Sequence, residues 1–390
     1  MALTVVEPKG KGVLLLDSHP DGCRRTVEEA AARVPVLAAF AAEPSAAKRA
    51  LIIGASSGYG LAITIAGLKG LGITGLGLAL ERPASARRTA SAGWYRVAAA
   101  RSLAQNPFEF VNGDCFDPAT KDDVLDRFER DHGQIDYLIY SVAAPRRTAG
   151  ETTYQSVIKP VGDGHATYSL DADGLTAALK RVEVGPANDD EIAATIKVMG
   201  GEDWADWIHA AARRGLLAPG VRTVALSYIG SELTAPVYRH GTIGRAKDHL
   251  EATARDLTDT VLSGHGGRAI TSVNGAAVTQ ASTAIPGIGL YVSLLHDVLG
   301  ERMQAPVQQA VRLWQHLTGE VVLQPDEHGR IRLDDWEFAD GVQDDVKRAW
   351  NTAVGEGKVP QRAAQWFFRE VYRLYGFGVD GVDYAAPTET

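Results

Sequence analysis

Two residues in the run Tyr238-Arg-His-Gly-Thr-Ile-Gly-Arg-Ala-Lys247 can manage a proton and a developing charge. A tyrosine hydroxyl, with a free pKa of about 10, is a weak acid at neutral pH. An ammonium beside it favours the phenolate and lowers that value. The same ammonium can hold a sugar hydroxyl. A second signal lies far upstream, where the apolar run Ala50-Leu-Ile-Ile53 leads into Gly54-Ala55-Ser56-Ser57-Gly58-Tyr59-Gly60. A strand that enters a glycine-rich turn and then a helix binds phosphate, because the N–H groups and dipole of the helix start accept a pyrophosphate. The loop therefore points to a dinucleotide. The Tyr–Lys pair points to hydride transfer from its nicotinamide end, with the tyrosine stabilising the substrate oxygen that gains charge.

The spacing of the pair constrains the structure that carries it. At about 100° per residue, positions nine apart fall on opposite faces of a straight helix. Pro236, Gly241 and Gly244 lie where a break is needed. Tyr238 is thus expected in a turn or short helix, with Lys247 on the first turns of the main helix. Tyr228, at the end of the preceding strand candidate, reaches the same pocket and can touch a substrate carbonyl. The second strand candidate ends in Leu78-Ala-Leu80-Glu81-Arg82. An acid there accepts bonds from ribose hydroxyls and repels a 2′-phosphate, which favours NADH, although Arg82 could hold that phosphate instead. Asp114 and Cys115 follow the third strand on the adenine side. Ser141, Val142 and Ala143 follow the fourth, beside the nicotinamide ribose.

These residues need a scaffold, and the chain supplies one. Strand candidates Ala50–Ile53, Gly75–Leu80, Phe108–Asn112, Tyr137–Ser141, Thr223–Tyr228 and Ala269–Val273 alternate with helical stretches such as 118–132 and 247–263. That rhythm predicts an α/β fold, a Rossmann-like doubly wound parallel sheet with N-terminal, inserted and C-terminal additions. Residues 1–45 form the N-terminal extension, with a short strand at Val13–Leu16 and a helical run from Thr26 to about Phe40. Residues 46–290 form the cofactor-binding and catalytic body, with an insertion near 151–222. Residues 291–390 are mainly helical, with a strand of a small hairpin at 330–334. Trp204 and Trp207 are core candidates.

Composition bounds the partners. The 390 residues carry a net charge of −8, which does not favour nucleic acid. Two cysteines without a CxxC argue against a disulfide framework or structural zinc and fit a reducing cytoplasm. No apolar run reaches the length of about 18 residues that a membrane span needs. No flavin or metal fingerprint is present.

The glycine loop spacing resembles the short-chain dehydrogenase type. Over nearly its whole length the chain resembles the trans-2-enoyl-CoA reductase / V-type enoyl-acyl-carrier-protein reductase family. The match rests on residues 54–60, Ala92-Gly-Trp-Tyr95, Tyr140-Ser-Val-Ala-Ala-Pro145, Val198-Met-Gly-Gly-Glu-Asp-Trp204 and Ser227-Tyr-Ile-Gly230. It rests also on Tyr-x8-Lys, Thr279-Gln-Ala-Ser282, Arg332-Leu-Asp-Asp-Trp-Glu337, Tyr375-Gly-Phe-Gly378 and the N-terminal His19-Pro-x-Gly-Cys23. The resemblance implies NADH-dependent reduction of the 2,3-double bond of an acyl thioester on coenzyme A or acyl carrier protein, in lipid metabolism and fatty acid biosynthesis. It implies Tyr238 as acid or enolate stabiliser, Lys247 as ribose contact and Tyr228 as substrate-binding tyrosine. Glu81 would favour NADH, and Val278–Thr279 would form a cofactor-side loop; such enzymes are usually monomers. The runs 273–278, 163–165 and 285–289 depart from the family pattern and leave the acyl group open. A carbonyl or non-thioester enone reductase, and a non-catalytic NADH-binding protein, are the competing readings.

Overall fold

The structure is a computed structural model, described for residues 3–39 and 48–390. The expected boundary at 45/46 and the helix end at Phe40 lie outside the described residues. Strand β1 (Leu3–Thr4) is followed by the hairpin β2 (Gly10–Lys11) and β3 (Leu14–Leu15), then helix α1 (Pro20–Ala32). This helix starts before Thr26 because His19 Nδ1 accepts the Gly22 N–H and Pro20 sits in the first turn, where its missing N–H costs nothing.

The expected alternation then follows: β4 (Arg49–Ile53), α2 (Gly58–Ala66), β5 (Thr74–Ala79), α3 (Ala92–Arg101), β6 (Phe108–Asn112), α4 (Pro118–His132) and β7 (Ile135–Tyr140). The insertion comes next, as the hairpins β8 (Arg146–Ala149) with β9 (Thr152–Gln155) and β10 (His165–Asp171) with β11 (Thr176–Val184). Helices α5 (Asp189–Met199) and α6 (Glu202–Arg213) complete it. The chain returns through β12 (Leu217–Ser227), α7 (Thr242–Asp259) and β13 (Arg268–Val273). It finishes with α8 (Ile288–Leu299), α9 (Pro306–Thr318), β14 (Arg330–Arg332), α10 (Val342–Glu356), α11 (Gln361–Arg373) and β15 (Thr388–Glu389), which pairs with β1.

Seven strands form one sheet in the order β14-β13-β12-β7-β4-β5-β6, every neighbouring pair parallel. The segment 330–334 is thus no hairpin. Arg330–Arg332 is an edge strand parallel to β13, so the C-terminal extension completes the central sheet.

The sheet is apolar on both sides, as an all-parallel sheet must be. Ala50 and Ile52 of β4 pack beneath α2, and Trp314 of α9 joins the same cluster. Leu51 and Ile53 face the other way, toward Phe128 of α4, Trp204 and Trp207 of α6 and Leu250 of α7. Trp204 and Trp207 are fully buried. A third cluster joins α8, α10 and α11 through Tyr291, Trp350 and Phe367. Both cysteines are unpaired: Cys23 lies inside α1 and Cys115 follows β6. Burial raises both thiol pKa values, that of Cys23 to about 11. Among the described residues no helix is long and apolar enough to cross a membrane, and no group of three or more His, Cys, Asp or Glu could hold a metal.

Candidate active site

From β4 the chain winds out to β5 and β6, then returns to β7 on the other side of β4. Such a reversal opens a crevice beyond the carboxyl ends of the strands. The glycine loop sits in it. Gly54 ends β4 at φ +88°, and a Cβ there would lie 2.0 Å from the Ser141 carbonyl oxygen. A Cβ at Gly60 would lie 2.0 Å from the Gly54 carbonyl oxygen and 2.9 Å from Ser141 Oγ. Only bare backbone lets this loop fold against Ser141–Ala143. Ser57, the cap residue of α2, makes no side-chain cap bond, so the first N–H groups of α2 face the crevice without a side-chain partner. Thr279 lies over Gly58, with its Cγ2 3.7 Å from where a Cβ would be, which brings the Val278–Thr279 loop to the glycine loop.

Glu81 leaves the end of β5 and is tied to the same loop. Ser56 Oγ donates to Oε1 at 2.6 Å and Ser91 Oγ to Oε2 at 2.5 Å. Its neighbour Arg82 turns away and donates to the carbonyls of Thr89 and Pro83, so it forms no phosphate clamp. Asp114 Oδ1 accepts the Phe116 N–H and fixes the turn after β6 that holds Cys115. Leu80 is 68% exposed beside Glu81, an apolar surface suited to an adenosine. Close backbone, a free helix start and a carboxylate hydrogen-bonded to the loop together fit a dinucleotide.

Helix α7 begins at Thr242 with Gly241 as its cap, so the break in the Tyr–Lys run falls between the two residues. Tyr238 sits in the preceding turn, where its carbonyl accepts the Gly244 N–H at 2.9 Å. Lys247 occupies the second turn of α7 and donates to the Leu226 carbonyl at 3.1 Å. Burial lowers its pKa to about 8, with Glu251 opposing. Tyr228 follows β12, and its ring meets that of Tyr238 edge to face, 5.1 Å between centroids. Tyr228, Tyr238 and Lys247 therefore converge at the carboxyl end of β12.

One expectation reverses. The ammonium was to lower the Tyr238 pKa, but burial drives it well above the ordinary tyrosine value, and the opposing charge is Arg239 rather than Lys247. Tyr238 keeps its proton through neutral pH and can only donate it.

Sequence reasoning noted Glu337 within a motif and gave it no role. It is fully buried. Tyr228 and Tyr291 both donate to its Oε1, at 3.1 and 2.6 Å, and the Ala276 N–H donates to Oε2 at 2.6 Å. Tyr59 of the glycine loop donates to the Gly275 carbonyl at 2.5 Å, joining loop and segment. Ser227 Oγ, Asn274 Nδ2 and Trp336 Nε1 are buried here without a hydrogen-bond partner among the described residues. An acid at the end of a short strand was the one available signal; its partners come from segments too distant for spacing to relate.

A family model described as the trans-2-enoyl-CoA reductase catalytic region matches residues 88–318. The NAD(P)H binding domain of trans-2-enoyl-CoA reductase matches 5–86, and an enoyl reductase FAD binding domain matches 325–388. The enoyl-[acyl-carrier-protein] reductase [NADH] of Streptomyces avermitilis is 53% identical, with 99% of this chain and 98% of that protein aligned. The trans-2-enoyl-CoA reductase [NADH] of Clostridium perfringens is 41% identical, with 98% of each covered. The crystal structure of the trans-2-enoyl-CoA reductase of Clostridium acetobutylicum in complex with NADH superimposes with a TM-score of 0.89 at 33% identity, covering 99% of this chain and 98% of that one.

Residues 325–388 do not fit a flavin. The strand β14 leads into Asp334, Asp335 and Glu337 rather than a glycine turn. Helix α10 places Asp344 and Asp345 in its first turn, where they oppose an incoming anion. Helices α10 and α11 bury Trp350, Phe367 and Phe368 in the third core cluster.

Proposed function

The chain belongs to the trans-2-enoyl-CoA reductase family, and from that premise we propose how its residues divide the work. The protein is an NADH-dependent oxidoreductase that reduces the 2,3-double bond of a trans-2-enoyl thioester. NADH, when bound, supplies the hydride, which we assign to C3. The residues manage everything else. Tyr238 donates a hydrogen bond to the thioester oxygen as it takes on enolate charge, and C2 then takes a proton drawn from solvent as the thioester carbonyl re-forms, which completes the saturated product. Lys247, positively charged below about pH 8, holds the nicotinamide ribose and adds positive potential beside the enolate. Tyr228 contacts the thioester carbonyl. The glycine loop with Ala55, Val142, Ala143 and Thr279 holds the pyrophosphate and nicotinamide half, while Leu80, Glu81, Asp114 and Cys115 hold the adenosine. We read the enzyme as a cytoplasmic monomer of fatty acid biosynthesis, its body spanning 46–290.

The observation that carries this reading is a buried tyrosine that stays protonated at neutral pH, near the carboxyl end of β12 where a buried lysine also lies. A carbonyl reductase would use the same pair, but family membership favours the thioester. The deciding experiment follows NADH consumption with crotonyl-CoA, crotonyl-acyl carrier protein, simple ketones and non-thioester enones. Turnover confined to ketones or enones overturns the thioester reading.

Cofactor choice gives a second test. The Glu81 carboxylate, braced by two serines, repels a 2′-phosphate. Glu81→Ala is expected to narrow the preference for NADH over NADPH, as a ratio of kcat/KM, by about tenfold or more. An unchanged ratio removes Glu81 from that role.

A further inference from the structure

The reductase reading leaves Glu337 unused, although it is the only fully buried carboxylate bonded to Tyr228 among the described residues. We propose that Glu337 is a positioning residue, whose carboxyl sets the direction of the Tyr228 hydroxyl proton and so decides whether Tyr228 donates to the substrate. This rests on the enoyl-thioester reading.

The argument is geometric. Tyr228 and Tyr291 both direct their hydroxyls at one oxygen, Oε1, while the Ala276 amide occupies the other. Gln343 of α10 locks the frame by donating to Tyr291 Oη at 3.1 Å and to the Glu337 carbonyl at 2.8 Å. A carboxylate at this position can only accept. Tyr228 must then commit its proton to Glu337 and present lone pairs to the thioester, which repel an oxygen gaining negative charge. A carboxylic acid carries one O–H. Given to Tyr228 Oη, that O–H frees the tyrosine proton to point at the substrate carbonyl. No covalent bond changes; one hydrogen bond reverses.

The surroundings favour the protonated form near neutrality. Burial raises the Glu337 pKa to about 7, and the Asp334 charge, held by Arg332, adds to the rise. Tyr291 and the Ala276 amide oppose it, and Tyr228 does so more weakly. The Arg332 charge and Tyr59 of α2 also feel this carboxyl, Tyr238 packs against Tyr228, and neither of these two tyrosines ionises near neutrality because burial raises both. Because the folded pKa is raised, the donor-competent acid is present below about pH 7 and is lost above it.

The test is the pH profile of kcat/KM for crotonyl-CoA with NADH. Wild type is expected to fall in two steps, the first with Glu337 and the second, near pH 8, with Lys247. Glu337→Gln keeps a fixed donor facing Tyr228 and is expected to lose the first step only. Tyr228→Phe loses the same step, and combining it with Glu337→Gln should slow the enzyme no further than Tyr228→Phe alone. A first step that persists in Glu337→Gln, or losses that multiply in the double variant, overturns the proposal. If Glu337→Gln does not fold, Tyr228→Phe decides alone: keeping the first step refutes the assignment. Wild-type enzyme inactive on both crotonyl carriers would instead refute the reductase reading, and this inference with it.

Discussion

Tyr238→Phe is expected to lower kcat by about 10²–10³-fold, the usual effect of removing one donor from an oxyanion site. Phenylalanine keeps the edge-to-face contact with Tyr228 and the backbone bond from Gly244, so the turn before α7 should survive. Only the hydroxyl is lost. NADH affinity, measured by fluorescence titration, should therefore stay near wild type while single-turnover hydride transfer slows. A variant that retains full turnover shows that another group meets the enolate.

Asp203→Ala is expected to cost about 3–5 kcal/mol of stability, read as a fall in urea midpoint at unchanged slope. Asp203 is 1% exposed and holds Lys121 Nζ at 2.5 Å and the Tyr140 hydroxyl at 3.0 Å, with Arg147 at 3.9 Å. Burial raises its pKa despite these partners. Alanine would leave the nearly buried Lys121 ammonium without a counter-charge, while Arg147 keeps Glu202 and Asp206. The cluster also ends β7 at Tyr140, directly before Ser141, so cofactor affinity should fall with stability. A loss below about 1 kcal/mol would mean that water reaches these charges and that the cluster is a surface network.

What could be read in the sequence follows how local each signal is. The glycine loop needs only a strand, a turn and a helix in succession, and each leaves its own pattern. The break near Gly241 follows from helix geometry alone. Strands β4, β6 and β13 were placed within a residue because short runs of apolar and β-branched residues flanked by helical patterns have few other readings. The hairpin β10–β11 was missed: it lies at the surface, and its alternation is weak. The Asp173-Gly174 pair in its turn was the available signal. Strand β14 was identified but given the wrong partner, since three residues cannot specify a neighbour contributed by β13. Glu337 was beyond reach for the same reason. Its partners Tyr228, Ala276 and Tyr291 belong to separate segments, and only the closed fold brings them to one carboxyl.

The two unpaired thiols have a practical consequence. A folded-state thiol that burial keeps protonated reacts slowly with alkylating reagents, whereas the same thiol in an opened segment reacts at the rate of a free one. Cys23 is sealed inside α1, and Cys115 sits in the turn after β6. The chain thus carries two built-in clocks, one reporting on its N-terminal layer and one on the turn after β6. With the adenosine held by that turn, as proposed, NADH should slow the second clock and leave the first running at its own pace.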